Sequence, residues 1–190
     1  MSGHSHWAGI KHKKGITDQK KGKIFAKLLS AISAAARSEP NPDFNPRLRT
    51  AVQKAKDVSV PNDKIASAIK RASEVGQKLE ELIFEAYGPG GTAILIEAVS
   101  DNKNRAISDI KKIISDFGGK WAETGSVRWA FKELPREESA GWEAMFFIDI
   151  TEEDMTKLKV LIEALNDHDD VQNIYANVDM PDDTHDKFGR

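Results

Sequence analysis

Apolar residues recur at helical spacing three times in the first part of the chain. Ile24, Phe25, Leu28, Leu29, Ile32 and Ala36 fall on one face of a 3.6-residue period. Thr17 is placed to cap that helix, with Asp18 favourable in its first turn. The pattern stops near Ser38, ahead of the turn-rich stretch EPNPDFNP. Asn45-Pro46 then reads as an N-cap followed by proline at the first helical position. Leu48, Val52 and Ala55 give this second helix its apolar face as far as Val58, and Pro61 opens a third with Ile65, Ile69 and Ala72 inward. Three short helices sharing a core predict a helical domain over residues 17–76, preceded by an irregular, glycine-punctuated arm over 1–16.

After Gln77 the period shortens. Residues 82–87 and 93–99 read as strands, the second more buried, on either side of the turn signal Gly88-Pro89-Gly90-Gly91. Residues 105–117 are helical, with Ile107, Ile110, Ile113 and Ile114 inward, and Gly118-Gly119 closes them. Strands are expected at 126–131 and 144–150. Thr151 caps a helix over 152–165 with Met155, Leu158, Leu161 and Ile162 inward, and 173–178 is a last strand. From Ala93 the order is β-α-β-β-α-β, the pattern of a ferredoxin-like sandwich. The expected fold class is therefore α+β. A three-helix domain with a basic arm is followed by a ferredoxin-like βαββαβ domain over 80–178, preceded by an extra strand, and by a polar tail over 179–190.

Charge changes this picture most. Residues 1–72 hold 15 Lys and Arg against 5 Asp and Glu, a net of +10, whereas residues 73–190 hold 13 against 25, a net of −12. The basic part can neutralise phosphates, and the acidic part would be repelled by them. No run of 18 apolar residues suggests a membrane span, and the N-terminus lacks the apolar core of a secretory signal. Cysteine is absent, which excludes disulfides, thiolate metal sites and a cysteine nucleophile and fits a reducing cytosol. A cytoplasmic location is expected.

The basic residues supply the leading chemistry. Lys20, Lys23 and Lys27 fall on one stripe beside the apolar face of the first helix, and Lys11, Lys13 and Lys14 precede them on the arm. Arg47, Arg49, Lys54, Lys56, Lys64, Lys70 and Arg71 lie on the next two helices. Several cations on one surface are what a phosphate backbone requires. A helix with an adjoining basic arm is a common layout among DNA binders. In the arm, His4, Ser5 and Lys11 can hydrogen-bond phosphate oxygens, and His12 lies among the lysines. Trp7 can stack on a base or anchor the arm to the helices. Nothing supports a metal site at His4, His6 and His12, because no carboxylate or cysteine spacing accompanies them. Gly88-Pro89-Gly90-Gly91 lacks the lysine and following helix of a phosphate loop and reads as a hairpin turn. Asp101-Asn102-Lys103-Asn104-Arg105 reads as a capping loop with two further cations. Asn166-Asp167-His168-Asp169-Asp170 places acid at a helix C-terminus, where the helix dipole disfavours it. No catalytic spacing is present, so neither an enzyme nor a cofactor is expected.

These residues also carry a resemblance. Gly3-His4-Ser5, Trp7, Ile10-Lys11-His12 and Lys14 resemble the opening of YebC/PmpR (TACO-like) proteins. Lys23-Ile24-Phe25, Lys27-Leu28, Asn45 to Arg49, Ala55-Lys56, Pro61 and Ile65 continue it. So do Tyr87 to Gly91, Asp101 to Arg105, Gly125-Ser126-Val127 and Asp169 to Asn177. His6 and Gly9 depart from the usual Lys and Asn. The chain resembles a short form in which a central inserted subdomain is missing between Leu134 and Trp142. The resemblance implies a DNA-binding transcriptional regulatory protein. Its alternative is a ribosome-associated translation factor or translational activator that binds ribosomal RNA or tRNA through the same surface. The acidic domain would serve as scaffold or protein-contact surface, and no membrane partner is implied.

Overall fold

The structure is a computed structural model that describes residues 18–73, 79–134 and 141–180, with backbone alone at 18–20 and 73. It opens with three helices: α1 (Asp18–Ala36), α2 (Pro46–Asp57) and α3 (Asn62–Ser73). Ile32, Ala35 and Ala36 of α1, Leu48 and Ala55 of α2, and Ile65 and Ala68 of α3 are buried together. The junction of α1 and α2 hangs on Asn45. Its Oδ1 accepts the Leu48 amide at 3.0 Å, which caps α2. Its Nδ2 donates to the carbonyls of Ala35 and Glu39 at 2.8 and 2.7 Å. One buried side chain thus closes one helix, opens the next and fixes the turn between them. Ser33 Oγ donates to the Ala68 carbonyl at 2.9 Å and ties α1 to α3.

The remaining elements are β1 (Glu80–Tyr87), β2 (Ala93–Ser100), α4 (Lys103–Asp116), β3 (Lys120–Ala122), β4 (Phe131–Leu134), β5 (Gly141–Ala144), α5 (Glu152–Asn166) and β6 (Val171–Ala176). Four strands form an antiparallel sheet in the order β3-β1-β2-β6. The β1–β2 turn is tight because Gly90 adopts φ 69°, and a Cβ there would lie 2.6 Å from Ile150 Cγ2. Helices α4 and α5 cover one face of the sheet. Phe84, Ile94, Ile96, Ile110, Ile114, Leu158, Leu161 and Ile174 form the main core there. On the opposite face Leu95 and Tyr175 pack with Val127, Phe131 and Trp142 beneath the β4–β5 hairpin. Strand β2 is therefore covered on both faces, which its nearly unbroken apolar run reflects.

Two carboxylates pin that second layer. Glu85, almost fully buried, accepts the amides of Gly125, Val127 and Arg128 at 2.6, 2.7 and 3.0 Å. Glu97 accepts Trp142 Nε1 at 3.0 Å, Asn173 Nδ2 at 2.8 Å and the Tyr175 hydroxyl at 3.1 Å. Burial and the neighbouring Glu97 charge push the Tyr175 phenol well above its ordinary pKa.

The α+β class, helices first and sheet after, is as expected. The pairing within the sheet is distributed differently from a ferredoxin-like sandwich. The strand expected merely to precede that unit pairs with β2 along all eight residues and with β3 on its other side, so it lies inside the sheet. Strands β4 and β5 pair with each other instead. The strand expected at 126–131 begins only at Phe131, as β4, because Glu85 takes the amides of Val127 and Arg128 and the chain turns through a 3-10 segment, Arg128–Ala130. Residues 145–150 are irregular, and the strand expected there is the earlier β5. The three-residue β3 is too short to show alternation and went unanticipated.

Replacing Asn45 by Ala removes the cap of α2 and a donor shared by the Ala35 and Glu39 carbonyls, so it should cost about 2 kcal/mol of stability. Urea denaturation measures this, and a loss below about 0.5 kcal/mol would contradict the role assigned to Asn45.

Candidate nucleic-acid interface

His4, Ser5, Trp7, Lys11, His12, Lys13 and Lys14 lie outside the described residues, as does the side chain of Lys20. Four expected contacts remain, and each has a partner within the protein. Lys27 reaches from α1 to the far end of α5, where its Nζ donates to the Asn166 carbonyl. One turn earlier, Lys23 Nζ stands 3.9 Å from Asp169 Oδ1, with both groups well exposed. Arg47 forms an ion pair with Glu81 at the start of β1. Arg49 stays within the helical unit, donating to the carbonyls of Pro42 and Asp43 at 3.3 and 3.2 Å. Beside Arg47, Arg37 donates to the Leu79 carbonyl. Lys23, Lys27, Arg37 and Arg47 thus join the basic helices to the acidic sheet unit.

This arrangement accounts for the acid at the end of α5. A cation at a helix C-terminus meets the negative end of the dipole and the unpaired carbonyls, and Lys27 is that cation. Asp170 is held separately. Its carboxylate accepts Ser100 Oγ at 2.8 Å and pairs with Arg105 at 3.0 Å, and Arg105 also reaches Asp101 at 3.0 Å. His168 Nδ1 accepts the Asp170 amide at 3.2 Å. The stretch 101–105 therefore works structurally: Asn102 caps α4 through the Arg105 amide at 3.1 Å, and Arg105 is consumed by the turn. Lys103 remains exposed.

Cations without an ion pair are found on α2 and α3. Among the described residues, Lys54, Lys56, Lys64 and Arg71 make none. Spacing puts Arg49 and Lys56 on one stripe of α2, and Lys64 and Arg71 on one stripe of α3. The sequence also under-read the exposed aromatics. Trp129 and Phe146 stack with ring centroids 5.5 Å apart, and both are exposed. The run Met145-Phe146-Phe147, three consecutive apolar residues, was the available signal. Among the described residues no group of three His, Cys, Asp or Glu side chains could hold a metal ion, and the histidines at 4, 6 and 12 are outside them.

Burial pushes the Lys27 ammonium down to about 8, with Asp169 and Asp167 opposing the shift, Lys23 adding to it and Asp170 opposing it. Between that value and the ordinary 10.5, the unfolded chain holds a proton that the folded protein has released. The burial penalty is fully present below pH 8, and stability rises as pH climbs from about 8 to 10.5. Wild type should therefore gain stability relative to Lys27→Met across that window in urea denaturation. A pH-independent difference would contradict the buried position of Lys27.

Comparison with known proteins places this geometry. A family profile described as the TACO1/YebC protein N-terminal domain matches residues 5–75. A second, described as the TACO1/YebC second and third domain, matches residues 79–136 and 133–178. Its two stretches meet in the β4–β5 hairpin, where the sequence places the absent insert. A probable transcriptional regulatory protein from Petrotoga mobilis is 48% identical over 73% of this chain, and the match spans only 58% of that relative. One from Acidobacterium capsulatum is 38% identical over 95% of this chain and 97% of its own length. One from a Geobacter species is 35% identical over 99% of this chain and all of its own. The crystal structure of a conserved hypothetical protein from Aquifex aeolicus superposes with a TM-score of 0.81 at 31% identity, covering 96% of this chain and 100% of that one. On the extent of these matches, the chain belongs to the TACO1/YebC family, a family of probable transcriptional regulatory proteins.

Proposed function

We propose that the protein is a non-enzymatic, cytoplasmic, DNA-binding transcriptional regulator that grips the phosphate backbone through its arm and helical domain. The observation that carries this reading is the net charge of +10 over residues 1–72, part of which stays unpaired on α2 and α3 after the contacts between helices and sheet are made. Such unpaired cations can neutralise phosphates and release the counterions condensed on the nucleic-acid backbone. The arm residues His4, Ser5, Trp7, Lys11, His12, Lys13 and Lys14 and the stripe Lys20, Lys23 and Lys27 belong to the same surface in this reading. Arg47 and Arg49 flank it, with Lys54, Lys56, Lys64 and Arg71 extending it. The acidic sheet unit serves as scaffold and protein-contact surface. No helix among the described residues is long and apolar enough to cross a membrane.

A second reading, a translation factor that binds ribosomal RNA or tRNA through the same surface, is favoured by one observation. The exposed rings of Trp129 and Phe146, on the sheet unit beyond that surface, would add contacts to unpaired bases, which folded RNA offers and duplex DNA does not.

Two sets of substitutions test the backbone contact. Replacing Lys13, Lys14 and Lys23 by Gln, or Lys54, Lys56 and Lys64 by Gln, should weaken binding to a labelled duplex. Each set should also flatten its salt dependence by up to about one unit per lost contact. An unchanged slope in both sets would remove the helical domain from the interface. Lys23 and Lys27 are shared with the acidic turn, so Asp167→Asn with Asp169→Asn should tighten binding by a few-fold, on the order of one weak ion pair. Unchanged affinity in that variant would place the α1 lysines outside the contact.

A further inference from the structure

The aromatic rings on the second face of the sheet are held in place. Glu85 fixes the loop 125–128 with its three short amide contacts. The carbonyl of Ser126 in that loop then receives two aromatic donors, the Tyr87 hydroxyl at 3.0 Å and Trp129 Nε1 at 2.8 Å. The indole is thereby oriented, and Phe146 stacks on it with 25° between ring planes. Despite these restraints Trp129 remains 66% exposed and Phe146 39%. Burying such rings is ordinarily worth more than any other side chain's contribution. A fixed but uncovered pair is therefore arranged to meet something outside the chain.

The chemistry of that partner follows from ring faces and nearby charge. Arg128, adjoining Trp129, lies with its guanidinium 4.7 Å over the Trp142 ring, and Lys120 is the cross-strand partner of Tyr87. Exposed Glu123, Glu133 and Asp149 occur along the same segments, so the charge is mixed and cannot draw in a phosphate backbone by itself. Stacking does not need that field, because every base presents a flat π-face that an indole can match. We propose that Trp129 and Phe146 form a stacking site for unpaired nucleobases, separate from the basic helices that take the backbone. This inference rests on the reading that the partner is a nucleic acid, and it adds a second contact at which single-stranded or looped segments can be held.

The test uses the full chain with two labelled probes, a single-stranded RNA heptamer and a blunt DNA duplex. Trp129→Ala and Phe146→Ala should each weaken heptamer binding about tenfold, within the range for one lost base stack. Trp129→Phe should retain most of the affinity. Duplex affinity should not change in any of the three. The loss should persist at high salt, because stacking is not screened. The heptamer should also quench the fluorescence of wild type more than that of Trp129→Phe, which isolates Trp129 from the other tryptophans. Heptamer binding indifferent to Trp129→Ala, or a loss shared equally by the duplex, would overturn the site while leaving the basic surface in place. Dissociation of a dimer by Trp129→Ala, with no effect on heptamer affinity, would overturn it in favour of contact between copies. Failure of the wild type to bind either probe at low salt would remove the nucleic-acid reading itself, and this site with it.

Discussion

A half-buried ammonium on the carbonyl end of α5 decides how the two halves of this molecule meet. Lys27 donates to the Asn166 carbonyl and sets its charge beside Asp167 and Asp169, whose attraction offsets only part of the cost of burying it. Without it the Asn166 carbonyl would lose this donor beside the aspartates at 167, 169 and 170. Lys23, Arg37 and Arg47 reinforce the same junction from α1, its C-terminal end and α2. A strongly basic unit and a strongly acidic one are thus held together at a few points. The basic unit is not neutralised as a whole, since cations on α2 and α3 stay outside the junction.

The sheet unit is organised by a comparable constraint on its other face. Glu85 and Glu97 stand at positions where strand alternation calls for polar residues facing solvent. Here they face a second layer and hold it, Glu85 through backbone amides and Glu97 through side-chain donors. A carboxylate with several short donors is well satisfied away from water, so the hairpin layer stays ordered with only a small apolar core of its own. The same pinning leaves Trp129 oriented at the surface.

How much of this was legible in the sequence depends on the range of the interactions. Helices α2, α4 and α5 declare themselves locally, because Asn45, Asn102 and Thr151 each cap within three residues. The alternation over 126–131 misled because Glu85, 40 to 43 residues upstream, removes that segment's amides from any ladder. Nothing near Val127 in sequence announces this. The stripe Lys20, Lys23 and Lys27 was readable as a stripe, but the partner of Lys27 lies 139 residues away. Spacing alone could not separate lysines that join the two units from lysines that remain unpaired. The acid at 166–170 was legible as a conflict, and only the three-dimensional arrangement supplied its resolution.

The account's central claim is that the basic helical half binds a nucleic-acid backbone. Titration of the full chain against labelled duplex DNA at several salt concentrations, with ribosomal RNA as competitor, tests it most directly. The account predicts tight binding whose affinity falls linearly with the logarithm of salt concentration, with a slope reflecting several phosphate contacts, and little displacement by the RNA. Ready displacement would move the target to RNA on the same surface. Absence of salt-dependent binding to either would contradict the account.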